Sequence, residues 1–280
     1  MGLFGNQGSQ PGRGCGPRVI IAIIIAAVSI ISYLSTRSTN PVTGESQHVS
    51  ITPEQEISMG MAARPEMEAQ FGGLSSDIAG QERVERIGRE LLHGLGKDTP
   101  YQFQFHLLGD RQTINAFALP GGQVFITEAL YEKLGTDGQL AGVLGHEIGH
   151  VIERHSAEQI AKSQLTQGLT GAAVIATYDP NNPGSSNTAA VAAMIGKLIT
   201  MKYGRADELE SDGWGVKLTA SVGYDPHAMI EVMHVLESAG GGGRQPEFMS
   251  THPDPGNRIE RIKEEIAKQF PQGLPAGLRP

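Results

Sequence analysis

The stretch His146-Glu147-Ile148-Gly149-His150 constrains this chain more than any other. Residues four apart share one helix face, so His146 and His150 can converge on a single ion. Glu147 then stands where it can take a proton from a metal-bound water. A helical setting is predicted by Leu140, Val143, Leu144, Ile148, Val151 and Ile152, which recur at three- and four-residue spacing as one apolar stripe. The pattern alone also arises by chance on ordinary surface helices, so its chemistry has to be judged by whether a third ligand exists.

One is offered by Arg205-Ala206-Asp207-Glu208-Leu209-Glu210-Ser211-Asp212. A carboxylate presented from a second helix would complete a two-His, one-Glu catalytic zinc site with its fourth position open for water. Glu208 and Asp212 are four apart and share a face. One fits as ligand and the other as acceptor for the outer N–H of a ligand imidazole. Glu210 points elsewhere on this geometry, toward solvent. His155 follows His150 by five residues, and on a continuous helix it turns away from the ion. Taken without the 146–150 motif, the acidic stretch reads as a plain surface helix.

Composition removes several other functions. The net charge is −8 and no basic run stands out, which argues against nucleic acid as a partner. A single cysteine, Cys15, rules out an intrachain disulfide and any cysteine-based metal site. Hydrophobic residues make up 39% of the chain, enough for a core, and the length allows one large or two small domains.

Residues 1–18 are rich in Gly, Gln and Pro and are expected to be disordered. Val19 to Leu34 run almost unbroken in Ile, Ala and Val, a little short of the roughly 17–25 residues that span a bilayer. Ser and Tyr33 extend the run into the interface, giving a transmembrane anchor over 19–35. A signal peptide is the competing reading, but no A-x-A-like site follows Tyr33-Leu34-Ser35-Thr36. Arg13 and Arg18 precede the run and only Arg37 lies close after it, which leaves the N-terminus cytoplasmic and the rest outside. Residues 36–51 read as a polar linker, with turn signals at Asn40-Pro41 and Thr43-Gly44.

Thr52-Pro53-Glu54-Gln55 predicts a helix start with a capping box, continuing to about Gln70. A second helix is predicted from Asp77 to Leu95. Tyr101, Phe103, Phe105 and Leu107 alternate with polar residues and predict a half-buried strand. Two more strands follow at 114–119 and 123–127, joined by the turn Pro120-Gly121-Gly122. After the metal helix come two apolar stretches, 165–177 and 188–201, separated by a loop at 179–184. They read as helices packed on the core, or alternatively as a lid or a membrane-dipping hairpin. Further helices are predicted from Asp225-Pro226 and from Asp254-Pro255, with a glycine-rich break at 240–243 between them. A flexible Pro/Gly tail at 269–280 ends the chain.

Ordered motifs along the chain resemble the gluzincin peptidases of the CAAX prenyl protease and HtpX group, most closely its periplasmic BepA and LoiP type. Asn115-Ala116-Phe117-Ala118-Leu119-Pro120-Gly121-Gly122 is similar to that group's N-A-F-x-x-P-G-G. His146 to His150 matches H-E-x-x-H, and Glu208 to Asp212 matches E-x-x-x-D. Thr251-His252-Pro253 with Arg258 resembles its T-H-P…R segment, and Asn40-Pro41-Val42-Thr43-Gly44 its opening segment. Ser211 stands where Ala is common, and Gly204 where Ser is frequent. The likeness runs from about Pro41 to Ile266.

The resemblance implies an α+β, mainly helical zincin-like (gluzincin) domain over 52–268, with a small three-stranded sheet, preceded by one transmembrane helix. It implies one Zn2+ held by His146, His150 and Glu208, Glu147 as general base, and Asp212 supporting a ligand histidine. His252 would be a removable fourth ligand. His252, Arg258 and Tyr203 are candidates for stabilising the developing negative charge, and Arg258 could equally be an ion-pair partner. The strand with Asn115, Ala116 and Phe117 would be the sheet edge that holds substrate. The implied activity is hydrolysis of misfolded or misassembled envelope proteins, by an enzyme anchored once in the inner membrane with its catalytic domain on the periplasmic side. The alternatives are a chaperone-like assembly factor with a zinc-stabilised fold, and a tethered binding module in which the motif does nothing.

Overall fold

The computed structural model describes residues 16–177, 203–240, 246–252 and 257–280. The described residues fall into two compact units, one within 1–35 and 162–198, the other within 36–161 and 199–280. In the first, the apolar run forms helix α1, Pro17–Ser35, with Ile23, Val28 and Ile31 each more than half exposed. It is long and apolar enough to cross a membrane, which suggests an anchor. The later half of helix α6, His155–Thr177, belongs to the same unit and covers the apolar stretch at 165–177. Gly168 meets α1 at Ser29, where a Cβ would fall 2.1 Å from the Ser29 hydroxyl oxygen. The expected stretch at 188–201, the loop at 179–184 and most of the expected disordered segment lie outside the described residues.

The second unit is built around a sheet and one central helix. Helix α2, Pro53–Gln70, opens with the predicted capping box: Thr52 Oγ1 accepts from the Gln55 N–H and Gln55 Oε1 from the Thr52 N–H. Helix α3, Ile78–Gly94, starts at the Asp77 cap and buries Val84, Ile87 and Leu91. Strands β3 (Gln104–Leu108), β4 (Ala116–Leu119) and β5 (Gln123–Thr127) form a sheet ordered β3–β5–β4. β3 runs parallel to β5 and β4 antiparallel, so β4 is an edge strand. The turn into β5 places Gly121 at φ 82° and Gly122 at φ 112°, backbone that residues with a Cβ avoid. The predicted alternation ends at Phe105, because Phe105 to Leu108 are all buried. His106 is among them, stacked on Phe125 with its Nε2 3.0 Å from Gln123 Oε1.

A short helix α4, Glu128–Tyr131, leads to the central helix α5, Asp137–Ile152. Every residue from Gly138 to Ile152 is buried, so α5 is a core helix and not the one-striped helix that the spacing predicts. Helix α7, Arg205–Ser221, crosses it at two glycines. A Cβ on Gly145 would lie 3.2 Å from Gly215 Cα, and one on Gly149 would lie 2.9 Å from Ser211 Cα. Helices α8 (Ala228–Gly240), α9 (Glu247–Thr251) and α10 (Arg258–Gln269) complete the unit. Residues 241–243 of the expected break and the expected start of the last helix at Asp254-Pro255 lie outside the described residues.

Two segments expected to be loose are docked. Residues 36–51 are not a free linker. They form a hairpin, β1 (Arg37–Thr39) with β2 (Ser46–His48). Asn40 Nδ2 donates to the Ile152 carbonyl at 2.8 Å, its Oδ1 accepts from the Val42 and Thr43 N–H groups, and Gln47 donates to the Glu153 carbonyl. The hairpin therefore satisfies carbonyls that the end of α5 leaves open. Its strands are polar three-residue pieces with no apolar alternation, which hides them from a periodicity argument. The tail is docked too. Arg279 exchanges main-chain bonds with Gly223 and Asp225, its guanidinium lies 4.0 Å from the Tyr224 ring centroid, and the Pro280 carbonyl accepts from the Gly138 N–H. These bonds join parts distant in sequence, so composition alone reads the segment as a flexible tail.

The end of α5 holds a buried ion pair. Arg154 Nε and Nη2 donate to Glu56 Oε1 at 2.8 and 2.5 Å, and Nη2 also donates to the Ile51 carbonyl. Both residues are buried, and Arg154 sits at φ 61°, a conformation that a residue with a Cβ adopts only when held. Arg154→Ala is expected to lower the unfolding free energy by about 3–5 kcal/mol, because Glu56 is left as an uncompensated buried charge. Denaturant unfolding checks this. A loss below about 1 kcal/mol would mean that water reaches Glu56 once the guanidinium is gone.

Candidate metal centre

α5 presents His146 and His150 one turn apart, and α7, seated on Gly145 and Gly149, presents Glu208. His252 follows the last residue of α9 and joins them. These four buried residues offer ligand atoms that all lie within 4.8 Å of one another. His146 Nε2 and His150 Nε2 are 3.0 Å apart. Glu208 Oε2 is 3.5 Å from His146 Nε2, and Glu208 Oε1 is 3.5 Å from His150 Nε2 and 3.1 Å from His252 Nδ1. His252 Nδ1 is 3.3 Å from His146 Nε2. Tetrahedral zinc with bonds of 2.0–2.1 Å has ligand–ligand edges of about 3.3–3.4 Å, so the spacing fits that ion. The ligand types fit as well: three imidazoles and one carboxylate suit zinc.

The outer atoms of the ligands are held. His146 Nδ1 lies 2.9 Å from Asp212 Oδ1, the carboxylate–histidine arrangement expected from the four-residue spacing of Glu208 and Asp212. Arg258 grips Asp212 with two bonds, Nε to Oδ2 at 2.9 Å and Nη2 to Oδ1 at 2.8 Å, and its Nη1 is 3.3 Å from Glu208 Oε2. Of its two readings from sequence, the ion-pair one matches these contacts. The hydroxyl of Tyr203 is engaged by Ser156 Oγ at 3.0 Å, and its ring stacks on His150 with centroids 3.9 Å apart. The stack sets Tyr203 against a ligand ring.

His155 departs from the expectation of a continuous helix. α5 ends at Ile152, and the left-handed Arg154 swings the chain so that α6 starts at His155. His155 stays outside the ligand set but turns back, with its Nδ1 2.8 Å from His150 Nδ1. Glu210 is exposed, as expected, yet its Oε2 reaches His155 Nε2 at 3.1 Å. No local sequence signal reveals this contact, since it depends on an arginine adopting positive φ.

Glu147 is fully buried, and neither of its carboxylate oxygens has a hydrogen-bond partner among the described residues. His252 Nε2 lies 3.5 Å from Glu147 Oε1. Burial raises the Glu147 pKa and outweighs the pull of His252 and His146. Burial opposes charge on His146 too, but Asp212 and Glu208 prevail and push its pKa up to about 9. For His150 burial dominates, and its pKa falls well below the ordinary value. Glu208 is held far below the carboxylate range: burial opposes this, and the surrounding histidines outweigh it. In the metal-free cluster the His146 proton balances the Glu208 carboxylate, and a bound cation would take that proton's place, so metal binding would release a proton.

The substrate-edge residues lie beside α5. Asn115 is buried, its carbonyl accepts from the Thr127 N–H at 3.0 Å, and its Oδ1 has no partner among the described residues. Phe117 pairs with Phe125 in the ladder, and their rings stack with centroids 4.9 Å apart. That register turns the N–H and C=O groups of Ala116 and Ala118 away from β5. Phe117 thus serves the sheet, and the main-chain groups of β4 that β5 leaves unused belong to its two neighbours, Ala116 and Ala118, both of which are buried.

Comparison with known proteins agrees with this geometry. Over residues 79–266 the chain matches the pattern of peptidase family M48. It is 29% identical over 268 residues to the Beta-barrel assembly-enhancing protease of Escherichia coli strain K12, covering 90% of this chain and 53% of that protein. It is 32% identical over 196 residues to the Putative beta-barrel assembly-enhancing protease of Vibrio cholerae, covering 68% and 40%. The mitochondrial Metalloendopeptidase OMA1 of Bos taurus is 29% identical over 265 residues, covering 88% and 48%. The chain thus spans about half the length of these relatives. The match over residues 79–266 takes in α5 with His146 and His150 as well as Glu208 and His252, and it shows that the chain belongs to peptidase family M48.

Proposed function

We propose that the protein is a membrane-anchored zinc endopeptidase that cleaves unfolded or misassembled envelope proteins on the periplasmic side of the inner membrane, as a BepA-like member of its family. The observation that carries this reading is the convergence of His146, His150 and Glu208 beside Glu147, whose buried oxygens have no partner among the described residues. His146, His150 and Glu208 would hold the ion. Zinc bound there supplies a Lewis acid that makes a water nucleophilic near neutral pH. Glu147 takes the proton of the attacking water and later passes it to the leaving amine, a task suited to a carboxylate whose pKa burial has raised. Asp212, clamped by Arg258, keeps His146 in the tautomer that offers Nε2 inward.

An extended substrate would add to β4 through the main-chain groups of Ala116 and Ala118, with Asn115 Oδ1 as a further acceptor. Recognition by main-chain bonds depends on extended backbone more than on sequence, which suits unfolded clients. The relative named Beta-barrel assembly-enhancing protease supports an envelope client. The test is metal analysis and digestion by the full chain, comparing unfolded casein with a tightly folded control, with and without chelator. Cleavage of casein alone, lost with chelator, is expected. Equal cleavage of both proteins counts against the client, and absence of bound zinc counts against the enzyme.

His252 favours one elaboration. Its Nδ1 stands at the fourth corner of the cluster, where the reacting water has to sit. His252→Ala is expected to raise basal casein cleavage about tenfold, as when the open form is a tenth of the population. Unchanged or lower activity would reject the latch. The same closed corner supports the second reading, an assembly factor with a zinc-stabilised fold, because structural zinc sites are closed. Glu147 separates the two readings, since a structural site has no use for an unpaired buried carboxylate.

A further inference from the structure

We propose that His155 and Glu210 form a positioning relay that fixes the tautomer and orientation of His150 for the metal. The inference rests on the zinc reading above and concerns residues that do not themselves bind the ion. A histidine that offers Nε2 to a cation carries its proton on Nδ1, and that N–H needs an acceptor. For His146 the acceptor is the Asp212 carboxylate. For His150 the partner is a second imidazole: His155 Nδ1, 2.8 Å from His150 Nδ1.

Two facing imidazole nitrogens bond only if one carries a proton and the other does not. With the His150 proton on Nδ1, His155 Nδ1 has to be the bare nitrogen, which puts the His155 proton on Nε2. That N–H points at Glu210 Oε2, 3.1 Å away, an acceptor-only group. Glu210 therefore selects the His155 tautomer, and His155 in turn selects that of His150. The alternative assignment would direct the His155 Nδ1 proton at His150 and leave His150 Nε2–H facing the ligand cluster, closed to a cation. His155 is 2% exposed, so water does not stand in for the missing acceptor. Ser211 Oγ, 3.4 Å from His155 Nδ1, is the other polar group beside this nitrogen and makes a longer, weaker contact. The relay exists because Arg154 turns the chain between α5 and α6; a straight helix would carry His155 away from His150.

The test is zinc affinity of the full chain by competition with a chelating dye, with circular dichroism and thermal melting of the metal-free proteins as the fold control. His155→Phe keeps a ring and removes the acceptor, and zinc affinity is expected to fall 10–100-fold. His155→Gln restores a carbonyl acceptor and should recover most of that loss. Glu210→Gln also retains an oxygen acceptor and should change affinity only a few-fold, whereas Glu210→Ala should lose more. A merely structural His155 would lower the melting temperature of both variants and leave zinc affinity of the folded fraction unchanged; that outcome overturns the relay. Equal zinc affinity of the Phe and Gln variants overturns it as well, even if the Phe variant folds poorly. A wild-type chain that binds no zinc fails the functional reading itself, and the relay falls with it.

Discussion

Glu147→Gln is expected to lower peptide-bond hydrolysis by about 10²–10⁴-fold while zinc content and thermal stability stay at the wild-type level. The substitution keeps the shape of the side chain and removes its ability to take a proton. Glu147 is fully buried, and its oxygens make no hydrogen bond to the described residues, so none of those bonds is broken. A neutral amide is also easier to bury than a carboxylate, which offsets the changed contact with His252. Casein digestion, metal analysis and a melting curve on the same preparation separate the outcomes. Loss of cleavage with zinc retained supports a general base. Loss of both would make Glu147 structural, and retained cleavage would remove it from the chemistry. An assembly-factor activity that survives the substitution would show that the fold has a second task besides proteolysis.

Gly149→Ala should be destabilising by roughly 1–3 kcal/mol and should weaken zinc binding at least about tenfold. Intrinsic helix preference argues the other way, since Ala is favoured over Gly by about 1 kcal/mol inside a helix. Packing decides the sign. The new Cβ would lie 2.9 Å from Ser211 Cα and 3.1 Å from its carbonyl oxygen, backbone atoms that cannot swing aside. α7 has to retreat, and it carries Glu208 and Asp212 on either side of that contact. Gly171→Ala in α6 is the control, because none of the described residues lies within 4 Å of a Cβ there. It should be neutral or slightly stabilising. If Gly149→Ala behaved like the control in melting and zinc titration, the close approach of the two helices would not be what seats the third ligand.

Much of the site is visible in the linear order of residues, because its parts are locally spaced. His146, Glu147 and His150 need only the helical period, and so does the pairing of Glu208 with Asp212. Thr52 with Gln55 and Asp77 mark helix starts through capping chemistry that involves neighbours alone. The hairpin at 37–48 and the docked end at 279–280 are hidden for the opposite reason. Their bonds go to Ile152, Glu153, Gly138 and Gly223, which are far away in the chain. Arg258 illustrates an intermediate case: its residue type suits either an anion or an ion pair, and only its partners Asp212 and Glu208 choose between them.

The chain's own order of residues determined that this protein has a zinc-type motif with a glutamate between its histidines, a distant acidic helix and an apolar helix ahead of them. Tertiary structure alone decided that Glu208 reaches the two imidazoles, through glycines that let α7 sit directly on α5. It also decided that His252 joins their cluster and that His155 turns back onto His150. The physical reason is range. Helical period and capping act over a few residues and can be read in one dimension, whereas a metal site needs atoms from separate elements to meet within a few ångströms, which only packing sets.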